Sequence, residues 1–147
     1  MMRLYENLRG LKIAIIEDDL LLRDSLVLFF HAKGCVAAGF ADAEAAMESF
    51  ETESPDIVIS DYIMPGTDGM ELLCRVGELH PAALRVLITG YPSPNLTREV
   101  KQAGIDDFIL KPFSVEEVED ALRRLMATRE RKLAGAATLK TANGESR

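Results

Sequence analysis

Polar side chains follow four short apolar runs in this sequence. Acidic residues 17–19 come directly after the first run, and Asp61 closes another. Thr89 and Lys111 end two further apolar runs in the same way. Carboxylates are the ligands that hard divalent cations prefer, and a hydroxyl and an ammonium group can donate hydrogen bonds to phosphoryl oxygens. If these four positions meet in the fold, they could together hold a divalent cation and a phosphoryl group.

The elements that must position these residues alternate between strand and helix along the chain. Gly34 and Gly104 are typical of helix C-termini, and Pro81 cannot continue the helix that precedes it. Ser114 and Glu117 form a capping box at the start of the last helix. The predicted strands cover residues 12–16, 35–40, 57–60, 85–89 and 108–110, and the predicted helices cover residues 20–33, 43–50, 70–80, 95–104 and 114–133.

The fold class follows from strands that lack polar alternation, which indicates that helices cover both faces of the sheet. Right-handed crossovers then predict a (βα)5 doubly wound, parallel, five-stranded sheet. We expect the flavodoxin-like α/β fold, in which the strand order is 2-1-3-4-5. The switch point of that order lies between strands 1 and 3, which end in Glu17-Asp18 and Asp61. Ligands of such sheets bind beyond the carboxyl ends of the strands, so the topology and the position of the acids agree.

Length and composition fit one domain with a short extension at either end. The 147 residues are 48% hydrophobic and 28% charged, which is ordinary for a globular domain. We expect an N-terminal extension over residues 1–10 and a folded domain over residues 11–133. The small and polar residues 134–147 are expected to form a flexible C-terminal tail.

Charge and hydropathy limit which partners and which cellular compartment are expected for this protein. The net charge is -7, and the acids are concentrated in residues 1–122, which argues against direct binding to nucleic acid. No apolar run reaches the length of a membrane helix, and the N-terminus lacks an apolar stretch of the signal-peptide type. We therefore expect a cytoplasmic protein that makes no contact with the membrane.

Short motifs accompany the polar strand ends and resemble those of a known family. The motifs are Met64-Pro65-Gly66 after Asp61, Gly90 after Thr89, and Pro112-Phe113 after Lys111. Together with the acidic cluster, they resemble the phosphoacceptor (receiver) domain of two-component response regulators, from about Leu11 to Arg124. The resemblance implies a signalling domain that catalyses its own phosphorylation, and not an enzyme in the usual sense.

The resemblance assigns a role to each polar strand end. It implies that Asp61 accepts a phosphoryl group, that Lys111 and Thr89 contact the phosphoryl oxygens, and that a cis peptide bond precedes Pro112. It also implies Mg²⁺, or Mn²⁺ in its place, as the cofactor. The implied metal ligands are the side chains of Glu17, Asp18 and Asp61 and the backbone carbonyl of Ile63.

The register of the metal ligands leaves an alternative open, because residues 17–19 offer three acids for two positions. The first strand runs directly into Glu17, and Arg23 follows Asp18 by five residues, which favours the Glu17-Asp18 pair. Asp19 then belongs to the start of the next helix, where an acid is favoured. The alternative is that Asp19 shares the metal site in place of Glu17.

The resemblance further implies a conformational switch and a set of partners. Phosphorylation would draw Thr89 toward the phosphoryl group and turn Phe108 inward, and Tyr91 is a nearby aromatic that could share this role. The face formed by the fourth helix, the fifth strand and the last helix would then change its contacts. The expected partners are a sensor histidine kinase or phosphotransfer protein and a downstream protein target or an output domain absent from this chain. A homodimer through the same face is a further expectation.

Two other functions fit parts of the same pattern. A phosphatase with an aspartate nucleophile would use a similar aspartate, threonine and lysine, but such enzymes place a second acid where this chain has Ile63. A receiver insensitive to phosphorylation could act as an interaction module, although every reactive position is present here. The sequence therefore favours a phosphoacceptor over both alternatives.

Overall fold

The computed structural model describes the backbone of residues 2–145 and the side chains of residues 3–135. Strands and helices alternate along this part of the chain. The strands are β1 (Lys12–Ile16), β2 (Val36–Phe40), β3 (Ile57–Asp61), β4 (Leu84–Thr89) and β5 (Asp107–Leu110). The helices are α1 (Met2–Leu8), α2 (Leu20–Ala32), α3 (Ala43–Phe50), α4 (Gly69–Leu79), α5 (Leu96–Gln102) and α6 (Val115–Glu145).

The five strands form one parallel sheet in the order β2-β1-β3-β4-β5, which confirms the predicted topology. Ile16 pairs with Ser60 at the end of the β1–β3 ladder, and Thr89 pairs with Leu110 at the end of the β4–β5 ladder. The strands therefore finish close to one another along a single edge of the sheet. Residues that follow them must share that edge.

Helices cover both faces of the sheet, as the apolar strands predict. Every residue of β3 and β4 is buried. One core cluster joins α1, α2 and α6 to the sheet, and the other joins α3, α4 and α5 to its opposite face. The strands alternate between the clusters, since Ile57 and Ile59 contribute to the first and Val58 to the second.

The first ten residues contain a helix that the sequence prediction lacks. Leu8 of α1 is 0% exposed, and Leu4 is also buried in the core. The thiol of Cys35 donates to the Leu8 carbonyl oxygen over 3.3 Å, and the ammonium of Lys33 lies 4.3 Å from the centroid of the Tyr5 ring. The residues predicted as an extension are therefore packed against the domain, next to the first residues of β1 and β2.

The last helix begins as predicted and ends later. The amide of Glu117 donates to Ser114 Oγ over 3.1 Å, as a capping box requires. The helix continues to Glu145 and not to about Leu133, because alanine, leucine and lysine in residues 134–145 are good helix formers. The side chains from residue 136 onward lie outside the described part, so the predicted flexibility of residues 134–147 stays a prediction. No helix in the described residues has the length and apolar character needed to cross a membrane.

A buried arginine connects the two helices beside β4. The guanidinium of Arg85 donates to the carbonyl oxygens of Leu73 in α4, over 2.8 Å, and of Gly104 after α5, over 2.5 Å. Its Nε finds no hydrogen-bond partner among the described residues. A Cβ atom at Gly77 would overlap the guanidinium, so the glycine makes room for it. Arg85 therefore fixes the C-terminal end of α5 relative to α4 and the sheet.

Candidate functional site

Three carboxylates meet at the edge of the sheet where β1 and β3 end. Glu17 and Asp18 follow β1 directly, and Asp61 is the last residue of β3. Each side chain offers an oxygen atom, and these atoms lie within 4.8 Å of one another. Glu17 is 1% exposed and Asp61 is 8% exposed, whereas Asp18 is exposed. The cluster therefore has a buried floor and a side that is open to solvent.

Lys111 reaches this cluster from the loop after β5. Its Nζ lies 2.7 Å from Glu17 Oε1 and 3.1 Å from Asp61 Oδ2. Its amide donates to the Thr89 carbonyl oxygen over 2.8 Å, which fixes the start of the loop. The Lys111–Pro112 peptide bond is cis, as the resemblance implies. The structure thus brings four of the predicted site residues, Glu17, Asp18, Asp61 and Lys111, into one cluster.

Burial and neighbouring charges change the acidity of two of these groups. Burial is the largest cause of a rise in the pKa of Glu17 to about 7, a rise that Lys111 opposes and Asp61 increases. Burial is also the largest influence on Lys111 and lowers its pKa, but the two carboxylates together outweigh it and the pKa is raised. Lys111 therefore stays charged at neutral pH, and Glu17 exchanges a proton close to neutrality.

The third acid after β1 has a different task. Asp19 is the N-cap of α2, and its carboxylate accepts hydrogen bonds from the amides of Leu21 and Leu22 over 2.9 and 3.2 Å. A side chain that caps a helix is turned toward that helix. This geometry favours Glu17 and Asp18 as the pair that faces Asp61.

The predicted switch residues lie on β4 and β5 and make other contacts. Thr89 is buried at the end of β4, and its hydroxyl oxygen accepts a hydrogen bond from the amide of Tyr91 over 3.0 Å. Phe108 is half-buried on β5 and packs against the cluster that contains α3, α4 and α5. The Tyr91 side chain is 74% exposed. The hydroxyl of Thr89 is therefore linked to the loop that leads to α5, while Phe108 contacts the core on that face of the sheet.

Two residues that the sequence did not assign to the site hold the main chain at Asp61. Ser60 Oγ donates to the Asp61 carbonyl oxygen over 3.0 Å. Gly69 begins α4 so close to the strand that a Cβ atom would overlap the same carbonyl oxygen, and its amide donates to the Tyr62 carbonyl oxygen over 2.7 Å. The Asp68-Gly69 pair before the predicted helix was the signal that could have identified this contact.

The carboxylate cluster fits a hard divalent cation. Such ions take oxygen ligands, and Mg²⁺ usually combines one or two carboxylates with water and phosphate oxygens. Glu17, Asp18 and Asp61 supply carboxylates, and the open side at Asp18 leaves room for water. Ile63 lies two residues beyond β3 with a side chain that is 56% exposed, and the metal role of its carbonyl stays a prediction.

The doubly wound sheet and the acidic cluster at its switch point define a flavodoxin-like α/β domain with a carboxylate site at the ends of its strands. Over residues 13–123 the sequence matches the response regulator receiver domain, and the chain belongs to this family of two-component signalling proteins. Receiver domains are signalling domains and not enzymes in the usual sense.

Similar proteins share this domain but differ in length. The C4-dicarboxylate transport transcriptional regulatory protein DctD of Rhizobium meliloti is 33% identical over 110 residues, which cover 75% of this chain and 24% of that protein. Sporulation initiation phosphotransferase F of Bacillus subtilis is 29% identical over 115 residues, which cover 78% of this chain and 93% of that protein. This chain thus spans about a quarter of the first relative and nearly all of the second.

Solved structures show the same fold. The CheY-like response regulator receiver domain protein from Methanospirillum hungatei has a TM-score of 0.77 and 24% sequence identity with this chain. The match covers 84% of this chain and 98% of that protein. At this level of identity the likeness establishes the fold alone.

Proposed function

We propose that Asp61 of this receiver domain accepts a phosphoryl group from the phosphohistidine of a sensor histidine kinase or a phosphotransfer protein. The observation that carries the proposal is the contact between Lys111 Nζ and both Asp61 Oδ2 and Glu17 Oε1, at the end of two neighbouring strands. A relative that this chain spans almost end to end is named a phosphotransferase, which supports phosphoryl transfer.

The transfer requires that an anionic nucleophile approach an anionic donor. A carboxylate oxygen of Asp61 forms the new bond to phosphorus while the phosphorus–nitrogen bond of the donor breaks, and the imidazole leaves with the electron pair. The Lys111 ammonium lies beside the nucleophile and offsets the negative charge of the phosphoryl oxygens. The Thr89 hydroxyl can donate to a phosphoryl oxygen while its own oxygen still accepts from Tyr91.

A divalent cation, Mg²⁺ or Mn²⁺, would be held by the carboxylates of Glu17, Asp18 and Asp61 and by the Ile63 carbonyl. When bound, it neutralises the charge that accumulates between nucleophile and phosphoryl group. The protein residues contribute independently of the cation. Lys111 pairs with the buried acids, and Ser60 and Gly69 hold the main chain of the nucleophile.

Phosphorylation then acts on the face formed by α5, β5 and α6, which we call the signalling face. A Thr89 hydroxyl that moves toward the phosphoryl group would pull on the amide of Tyr91 and on the loop before α5. Inward rotation of Phe108 on β5 would fill the space that Thr89 leaves. We propose that this face contacts a downstream protein target, an output domain or a second copy of the chain, in the cytoplasm.

A small phosphodonor with Mg²⁺ tests the central step. The chain is expected to gain the mass of one phosphoryl group in an acid-labile adduct, and Asp61→Asn should abolish the gain. Asp24→Asn is the matched control, because it removes the same charge from an exposed helix position. An adduct that persists in Asp61→Asn would refute Asp61 as the acceptor, and continuous phosphate release without an adduct would indicate the phosphatase alternative.

A further inference from the structure

Arg23 lies outside the carboxylate cluster and contacts the main chain of one of its members. It belongs to the first turns of α2, and its Nη1 donates to the Glu17 carbonyl oxygen over 2.7 Å. The side chain is half-buried, and the hydrogen bond is partly shielded from solvent. A charged donor on a main-chain carbonyl forms a stronger bond than a neutral donor does.

The path of this side chain depends on a glycine in the neighbouring strand. Arg23 crosses β2 at Gly39, where a Cβ atom would lie 2.9 Å from Arg23 Cγ and 3.0 Å from Arg23 Cδ. The same Cβ would lie 3.2 Å from Val27 Cγ2, so the neighbours leave little room for adjustment. Gly39 therefore makes the space through which the guanidinium reaches Glu17.

The hydrogen bond fixes the peptide group between two proposed metal ligands. The peptide is planar, so holding the Glu17 carbonyl oxygen also sets the direction of the Asp18 amide. The Glu17 amide is held on its other side by the Phe40 carbonyl oxygen over 3.0 Å. With both polar groups of Glu17 tied to neighbouring elements, the relative orientation of the Glu17 and Asp18 carboxylates is constrained.

We propose that Arg23 is a positioning residue for the divalent cation site and acts through the Glu17 carbonyl, with Gly39 opening its path. The inference rests on the proposed function, because it assumes that Glu17 and Asp18 bind the cation. The Arg23 guanidinium contacts the main chain of Glu17 and not its carboxylate, so its effect is on geometry.

Charge and geometry predict opposite effects when Arg23 is replaced. Removing a positive charge near a cation site strengthens cation binding by simple electrostatics. Releasing the Glu17–Asp18 peptide weakens binding, because partners that orient metal ligands typically contribute about 10–100-fold in affinity. The sign of the change in Mg²⁺ affinity therefore separates a positioning role from a nearby charge.

Calorimetric titration of Mg²⁺ into the full chain tests the inference. We expect Arg23→Met to weaken Mg²⁺ binding about tenfold and Arg23→Lys, which keeps a charged donor, to restore most of the affinity. Gly39→Ala should also weaken binding although it keeps the charge, since its Cβ displaces the Arg23 side chain. Arg75→Met is the matched control on the exposed side of α4, outside the signalling face, and should leave the affinity unchanged.

A second measurement distinguishes positioning from a loss of stability. In Arg23→Met, the rate of Asp61 phosphorylation at saturating Mg²⁺ should be close to the wild-type value. Only the Mg²⁺ concentration that gives half of this rate should be higher. If the Arg23→Met variant is folded and binds Mg²⁺ as tightly as the wild type, or more tightly, the inference is overturned and the proposed function stays intact. Wild-type protein that binds no Mg²⁺ would overturn the proposed metal site and this inference with it.

Discussion

Replacing Glu17 with glutamine tests whether a buried acid destabilises the metal-free site. Glutamine has nearly the same shape, keeps an oxygen that accepts from Lys111, and gains an amide that can donate to Asp61. It removes the ionised form whose burial raises the pKa of Glu17. The variant should therefore be more stable than the wild type at any pH at which the unfolded wild-type side chain is ionised.

The magnitude follows from the shift in protonation. The pKa of Glu17 rises from 4.5 to about 7 in the folded chain, so the native state holds the proton over a range in which the unfolded state has lost it. Each unit of pKa corresponds to about 1.4 kcal/mol, which gives about 3 kcal/mol for the whole shift. The native state binds more protons between these two values, so wild-type stability falls as pH rises from 4.5 to about 7. The Glu17→Gln variant does not have this pH-dependent loss of stability.

Urea denaturation with a chelator present provides the assay. At about pH 8, Glu17→Gln should exceed the wild type by about 3 kcal/mol in the free energy of unfolding, and the gap should close at about pH 4.5. Glu48→Gln is the control, because it makes the same chemical change on an exposed helix face, where changes are usually below about 0.5 kcal/mol. A gap that is independent of pH, or a variant less stable than the wild type at high pH, would show that the buried, ionised Glu17 does not destabilise the metal-free site.

Three further predictions concern packing and metal binding. Gly77→Ala should lower the free energy of unfolding by about 1–3 kcal/mol, because its Cβ overlaps the Arg85 guanidinium. In an Arg85→Met background, Gly77→Ala should instead raise the free energy of unfolding by about 0.5–1 kcal/mol, because alanine favours the helix more than glycine does. Equal effects in both backgrounds of this double-mutant cycle would argue against the contact between residue 77 and Arg85. Leu8→Ala should cost about 2–4 kcal/mol in thermal or urea denaturation if α1 belongs to the core. Glu6→Ala on the exposed side of α1 should change stability by less than about 0.5 kcal/mol, and similar losses in both variants would argue against this packing. Mg²⁺ at about ten times its dissociation constant should stabilise the wild type by about 1.4 kcal/mol, and Asp18→Asn should remove that gain at the same concentration.

The sheet was predictable because its strands are apolar on both faces and because acids, a threonine and a lysine follow them. Those signals are local in sequence, and the parallel topology brings them to one edge. The alternation of elements and the handedness of the crossovers predicted a parallel sheet, and the acids after strands 1 and 3 agreed with the flavodoxin-like order that the structure confirms. The clustering of Asp61 with Lys111 follows from that order.

The features that sequence reasoning missed depend on contacts between distant residues. Helix α1 has seven residues, too few for a clear periodic signal, and is stabilised by tertiary contacts such as that of Leu8 with Cys35. The path of Arg23 depends on the absence of a side chain at Gly39 in another strand. Helix α6 was predicted too short because its small residues were interpreted as a tail, although alanine is the best helix former.

The buried Arg85 restricts the order in which substitutions can accumulate in this chain. While the guanidinium lies between α4 and α5, a larger residue at Gly77 overlaps it. A lineage that first replaced Arg85 with a shorter side chain would free position 77 to become alanine, but the reverse order passes through a destabilised intermediate. Gly104 would stay fixed in either order, because its φ of 73° favours glycine whether or not the arginine is present. Among relatives, residues 77 and 85 are therefore expected to change together, while residue 104 remains glycine.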